Sequence, residues 1–149
     1  MGCGLSIFFS YQTNVDCAKG DTALELTATP ISIRVNHDTR TVFTRARGDL
    51  KIDNFLAHAR DLANTGVFAY PQLIDAREAH LKISAVDVRK MVSLNKELRR
   101  THGPAKTAFV TKHPADFGMM RMYEIKIGED DPGFAVFYDI YQAKQWIFS

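Results

Sequence analysis

The side chains best suited to acid–base or nucleophilic chemistry lie between residues 75 and 84. His80 precedes Ser84 by four residues, so an imidazole could serve as the base for a hydroxyl nucleophile. Ser84, however, has Asp87 three residues later, which is the spacing of a helix cap whose hydroxyl is used by the backbone. No third group within sequence reach would orient the imidazole. We therefore predict no catalytic residue and expect a protein that is not an enzyme.

A second polar group follows the short apolar segment Gln72–Asp75, which is predicted to be a buried strand. Proteins of the α/β class often bind ligands just beyond the ends of such strands. We therefore place Asp75, Arg77 and Ser84 at the rim of a cleft. The alternative is an ordinary loop in which Asp75 pairs with Arg77 or with backbone amides, and an exposed pair of that kind contributes little to stability.

Three methionines occur within four residues of the third predicted helix, between two aromatic residues. Methionine-rich surfaces adapt to apolar partners of varied shape. We predict that this segment forms a ligand or partner surface, made by Phe117, Met119, Met120, Met122 and Tyr123. The alternative is core packing with one exposed methionine, because isolated exposed apolar residues are common.

Metal, cofactor and nucleic-acid functions have no sequence support. The five histidines are scattered and the two cysteines, Cys3 and Cys17, do not form a Cys-x-x-Cys pair, so no metal site is predicted. Neither a phosphate-binding glycine loop nor a dinucleotide motif occurs, so no cofactor is predicted. A net charge of +2 is too small to indicate a nucleic-acid partner.

Length and composition indicate one ordinary globular domain. The chain has 149 residues, of which 46% are hydrophobic and 24% charged. Residues 31–149 form the predicted domain and residues 1–30 an N-terminal appendage. The apolar stretches are far shorter than the roughly 20 residues that span a bilayer. We expect a cytoplasmic protein with at most peripheral membrane contact, and a homodimer is an open alternative.

From Ile31 onward, strand and helix patterns alternate in the order β-β-α-β-α-β-α-β-α. This order predicts an α/β fold with a mixed sheet of four to five strands and helices mainly on one side. In the last helix, Trp146 shares an apolar row with Ala143 and Ile147, so its ring is predicted to be buried. The predicted strands are Ser32–Val35, Thr41–Arg47, Gln72–Asp75, Lys106–Thr111 and Phe134–Tyr138.

Several of these segments resemble the SpoIIAA-like group of the STAS domains, the fold of bacterial anti-sigma-factor antagonists, and a bacterial branch with a Sec14-like shape. The resemblance covers about residues 31–148. It is carried by Thr44–Gly48, by Gln72–Arg77, by Phe134–Asp139 and by Ala143 with Trp146 and Ile147. The resemblance implies a non-catalytic binding or regulatory module that acts through protein contacts. A small carrier or sensor of a lipid or other apolar ligand, held in a groove between helices two and three, is the alternative.

One segment departs from the pattern of that group. Phospho-regulated members have an Asp-Ser-Ser/Thr-Gly-like segment at the start of the helix that follows the third strand, and one of its serines accepts phosphate. The corresponding residues are Ile83–Val86, so Ala85 falls at the acceptor position. Ser84 remains, but a capping role uses its hydroxyl. The resemblance therefore does not extend to the phosphorylation switch.

Overall fold

The computed structural model describes residues 11–16, 21–26, 30–128 and 133–149. Its strands are β1 (Tyr11–Asp16), β2 (Asp21–Leu26), β3 (Ile31–Asn36), β4 (Thr41–Lys51), β5 (Gln72–Lys82), β6 (Thr107–Val110) and β7 (Phe134–Phe137). Its helices are α1 (Ile52–Asn64), α2 (Ala85–His102), α3 (Pro114–Gly128) and α4 (Ile140–Ile147).

The predicted α/β fold and element order are confirmed from residue 31 to the end of α4. The strands lie in sequence order across one mixed sheet. Neighbours from β1 to β4 are antiparallel, and neighbours from β4 to β7 are parallel. The predicted domain supplies five of these strands, and β1 and β2 extend the sheet beyond β3. The division of the chain at residue 30 remains a prediction.

The two central strands are longer than predicted. Strand β4 continues to Lys51 and β5 continues to Lys82, with a β-bulge in β5, where Ala76 and Arg77 lie opposite the single residue Ala46. The sequence prediction ended β5 at Asp75 because charged residues follow. Glu78 instead pairs across the two strands with Arg45 and Arg47, at 3.0 and 3.3 Å, and Arg77 pairs with Asp75 within β5. Charge alone therefore did not end the strand.

Helices α1, α2 and α3 cover one face of the sheet, and α4 covers part of the other. Strand β6 separates the two cores, because Phe109 packs with the three-helix layer while Ala108 and Val110 pack with α4. The predicted concentration of helices on one side is thus confirmed. The core on the three-helix side is the larger of the two and contains most of the buried apolar residues.

Trp146 was predicted to be largely buried against the sheet, and it packs there but is only partly buried. Ala143 and Ile147 face the sheet, and Trp146 lies on the flank of α4, where its ring packs on Phe137 with centroids 5.7 Å apart. The Lys106 Nζ lies 4.7 Å from the ring centroid on the open side. Successive helix residues turn by about 100°, so Trp146 lies about 60° to one side of Ala143 and Ile147 about 40° to the other, which puts Trp146 at the edge of the apolar row.

Ser84 is the N-cap of α2, as the sequence predicts. Its side chain accepts a hydrogen bond from the Asp87 N–H at 3.2 Å, and the Asp87 carboxylate accepts from the Ser84 N–H at 2.9 Å. This reciprocal pair satisfies two donors that the first turn of a helix would otherwise leave without partners.

Replacing Ser84 with alanine should lower the free energy of unfolding by about 1 kcal/mol, because the N–H of Asp87 loses its acceptor. Urea unfolding of both proteins measures the difference. Ser93→Ala, at an exposed position within α2, is the matched control. It should leave stability unchanged or slightly raised, since alanine has the higher helix propensity. Equal stability of Ser84→Ala and wild type would contradict the capping role.

Candidate functional site

A cavity of about 60 Å³ lies between the sheet and the layer formed by α1, α2 and α3. Its apolar wall includes Leu62, Met91, Phe109, Met120 and Phe134. Its polar wall is made by His58, Gln72, Asn95, Arg99, Thr107 and Tyr123. An apolar chamber with a few convergent polar groups is the usual form of a small-molecule site.

Helical spacing explains how these side chains reach one place. Met91, Asn95 and Arg99 recur every four residues on α2, so they form one stripe along that helix. Met120 and Tyr123 are three residues apart on α3 and share its buried face. The Asn95 amide donates to the Met91 carbonyl at 2.9 Å, which fixes one polar group in the middle of the stripe.

His58 lies on the buried face of α1 and contacts the sheet through one ring nitrogen. Its Nε2 is 2.7 Å from the Gln72 Nε2, and the same Gln72 amide donates to the Thr44 hydroxyl at 3.3 Å. An amide nitrogen only donates, so His58 Nε2 accepts and the neutral ring carries its proton on Nδ1. That Nδ1 is buried and has no hydrogen-bond partner among the described residues.

Burial also determines the charge of two groups in the wall. It lowers the pKa of His58 from 6.5 to about 4, so the imidazole is neutral at physiological pH. It raises the pKa of the Tyr123 phenol far above its ordinary value, with the nearby Arg99 charge acting in the opposite direction. The wall thus combines a neutral imidazole, a neutral phenol and a guanidinium, three groups that can donate hydrogen bonds to an oxygen acceptor.

The methionine-rich segment of α3 does not form one surface. Met120 and Tyr123 line the cavity, whereas Met119 and Met122 are partly buried beside it without lining it. Phe117 instead stacks on Tyr138, with centroids 4.2 Å apart and planes 8° from parallel. The structure therefore assigns two of the five predicted residues to the cavity, and a binding role for them stays a prediction.

The three residues predicted at a cleft rim lie elsewhere. Asp75 and Arg77 are within β5, not beyond its end, and they form a two-point ion pair with distances of 2.8 and 2.9 Å. The Arg77 side chain holds the pKa of the Asp75 carboxyl below its usual value. Ser84 caps α2, and none of the three lines the cavity. The predicted end of β5 is wrong, whereas a role for these three residues at a cleft rim stays a prediction.

Three residues that the sequence analysis did not group come together beyond the end of β6. They are His80 in β5, His113 in the β6–α3 connection and Asp116 in the first turn of α3, and their ligand atoms lie within 4.8 Å of one another. The available signal was weak, because His80 and His113 are far apart in sequence and β5 had been predicted to end before His80.

None of the helices in the described part of the chain is long and apolar enough to cross a membrane.

No protein-family model matches this sequence, and no curated protein matches it. Among solved structures, the chain is similar to an uncharacterised protein of the DUF3478 family with a SpoIIAA-like fold, from Shewanella loihica PV-4. The two are 16% identical, with a TM-score of 0.45, and the match covers 97% of this chain and 99% of the other. The fold described above rests on the strand order and register of this chain itself.

The stability of the wild type should fall between pH 7.5 and pH 4.5 more than that of His58→Gln. The pKa of His58 is about 4 in the folded protein and 6.5 in the unfolded chain. Its contribution to stability is therefore complete above pH 6.5 and is lost as the pH falls towards 4. The difference should be about 2.5 kcal/mol, at roughly 1.4 kcal/mol per pH unit between the two pKa values.

Burial raises the pKa of Asp61 to about 6, and this acts in the opposite sense, because the folded state keeps that proton at pH values where the unfolded state releases it. Asp61 is present in both proteins, so its effect cancels in the comparison. Urea unfolding at each pH measures the free energies, with His37→Gln at an exposed site as the matched control. Parallel pH profiles for wild type and His58→Gln would show that His58 is not buried as a neutral ring.

Proposed function

We propose that this protein is a non-catalytic binding module that holds a small molecule in the cavity between the sheet and helices α1 to α3. One observation carries the proposal: the buried Nδ1 of His58, in the wall of the cavity, has no hydrogen-bond partner in the part of the chain that the structure describes. A buried donor without a partner costs about 1–3 kcal/mol. A ligand oxygen would remove that cost, so a molecule with a carbonyl or carboxylate group fits best.

The volume of the cavity limits the ligand to a few heavy atoms. A cavity of about 150 Å³ holds benzene, whereas this one is about 60 Å³. An acyl chain is larger than benzene and does not fit unless the helices separate from the sheet. The size therefore supports a compact acid or ketone over a lipid among the apolar ligands expected from the sequence.

The chemistry of the wall supports binding over catalysis. Its imidazole has a pKa of about 4, which makes it a weak base at neutral pH, and its phenol holds its proton tightly. The described lining residues include no carboxylate and no thiol that could act as nucleophile or proton acceptor. These groups can orient an oxygen atom, but they are poorly matched to proton transfer.

Methyl-labelled methionine provides a direct test, because two methionines line the cavity and two lie just outside it. Titration with acetate, propionate or acetone should shift the NMR signals of the Met91 and Met120 methyl groups and leave those of Met119 and Met122 unchanged. Ligands of about four to five heavy atoms bind no more tightly than roughly micromolar, so the titration extends to millimolar concentrations.

The matched variant is Ala59→Val, which places two further methyl groups at a lining position of α1. It should abolish the methyl shifts while the protein stays folded by circular dichroism. His58→Gln should weaken the binding of carboxylates and ketones more than that of an apolar gas such as xenon. Shifts spread evenly over all four methionines, or retained in Ala59→Val, would contradict binding in the cavity.

Protein contact through the outer side of α4 is a second candidate, and it is supported by two exposed aromatic residues. Tyr141, in the first turn of α4, is 73% exposed, and Phe148, the C-cap residue at the other end of the helix, is 59% exposed. Aromatic residues contribute strongly to protein interfaces. Lys144 lies between them and Arg77 lies near Tyr141, so the partner expected here has an acidic, partly apolar surface.

A photo-cross-linking residue at position 141 tests this second candidate. In cells it should give a discrete adduct with an acidic protein, and Lys144→Glu or Phe148→Ala should reduce the yield. The same cross-linker at Val86 or Ile125, which are also exposed apolar positions, is the matched control. Equal adducts from all three positions would indicate collisions with abundant proteins, and the candidate would then be wrong.

A further inference from the structure

Two histidines and a buried aspartate come together just beyond the carboxyl end of β6. Strand β6 pairs with β5 only from Gln72 to Asp75, and β5 then continues past the end of β6. This overhang brings His80 beside the β6–α3 connection, where its ring stacks on His113 at a centroid distance of 4.4 Å. Asp116 enters from the first turn of α3.

The surroundings of Asp116 are an independent sign of a missing partner. The residue is only 7% exposed, and its Oδ1 accepts one long hydrogen bond, 3.4 Å, from the Leu81 N–H. Its Oδ2 is buried without a hydrogen-bond partner among the described residues. A buried carboxylate is costly unless a cation or several donors compensate it. A metal ion beside the two imidazoles would supply that compensation.

We propose that His80, His113 and Asp116 bind a divalent transition-metal ion of the zinc type. Two imidazole nitrogens and one carboxylate oxygen form a ligand set that suits zinc, cobalt or nickel, whereas magnesium and calcium prefer oxygen ligands alone. Three protein ligands leave at least one coordination position open. His80 is exposed, so solvent can reach that position.

Small side-chain rotations are enough to bring the three ligand atoms to the spacing that one metal ion requires. Ligand atoms on one tetrahedral zinc lie about 3.3 Å apart, given bond lengths of about 2.0–2.1 Å. The three side chains already place their ligand atoms within 4.8 Å of one another. The exposed His80 and the partly exposed His113 can rotate towards the buried carboxylate, which its helix and the Leu81 N–H hold in position.

The metal site is separate from the ligand cavity. None of the three residues lines the cavity, so the two proposals depend on different side chains. Failure of small-molecule binding would leave the metal proposal intact. Failure of metal binding would likewise leave the cavity proposal intact.

Zinc titration by calorimetry, together with the visible spectrum of the cobalt(II) protein, tests the proposal. Both use the full chain with Cys3→Ser and Cys17→Ser, so that thiolates do not compete for the ion. We expect one zinc ion per chain and a cobalt spectrum typical of four or five ligands. His80→Gln, His113→Gln and Asp116→Asn should each weaken zinc binding at least about 10-fold.

His37→Gln and His102→Gln lie outside the cluster and should bind zinc as the parent does. His80→Gln is the decisive variant, since an exposed position can change without unfolding the protein. Circular dichroism and the methionine methyl spectrum check that each variant is folded. No stoichiometric zinc binding by the parent, or unchanged binding in folded His80→Gln and His113→Gln, would overturn the proposal. So would binding of magnesium or calcium that is independent of the two histidines.

Discussion

The parallel pairing of β4 with β5 is the constraint on which the rest of the structure depends. These strands join the antiparallel part of the sheet to the parallel part, and each has 11 residues, whereas β6 and β7 have four. The pairing continues from Val42 with Gln72 to Lys51 with Lys82, across the bulge in β5. Because the strands are long, α1 begins directly at the end of β4, and β5 carries His80 past the end of β6.

The cavity lies where a few polar side chains are buried between the sheet and helices α1 to α3, in an otherwise apolar core. A hydrogen-bonded chain from Thr44 through Gln72 to His58 joins β4, β5 and α1, and it satisfies only one side of the imidazole. The other nitrogen of the ring, Nδ1, is buried without a hydrogen-bond partner among the described residues, and a buried donor of this kind costs about 1–3 kcal/mol. Most buried polar groups in proteins are hydrogen-bonded, so an orphan beside a cavity is informative.

The order of strands and helices could be predicted from the sequence because apolar periodicity is local. Ile31, Ile33 and Val35 alternate as predicted, and the Ser84–Asp87 spacing marks the start of α2. Strand ends could not be predicted in the same way. Glu78, after Asp75, pairs with Arg45 of β4, and that contact joins positions 33 residues apart.

The candidate sites were also hard to predict, because their residues are distant in sequence and meet only in the folded chain. Met120 and Tyr123 were selected because they belong to a methionine-rich segment, which is unusual in a packed helix, and both line the cavity. His58 and Asn95 were not found, since each is a single polar residue within an amphipathic helix. Only the crossing of three helices over the sheet brings them together. The grouping of His80 with Asp116 likewise depends on where β6 ends.

Helix α3 connects the two sites within one element. Asp116 in its first turn is one of the three proposed metal ligands, and Met120, four residues later, lines the cavity. Between them lies Gly118, where an added Cβ would meet no atom within 4 Å, so close packing does not require glycine there. Glycine within a helix costs about 1 kcal/mol relative to alanine, which makes this turn easier to open than its neighbours. An ion bound to Asp116 would hold the turn against β5, and the same turn positions Met120 over the cavity. The two sites thus share a structural support although they share no side chain.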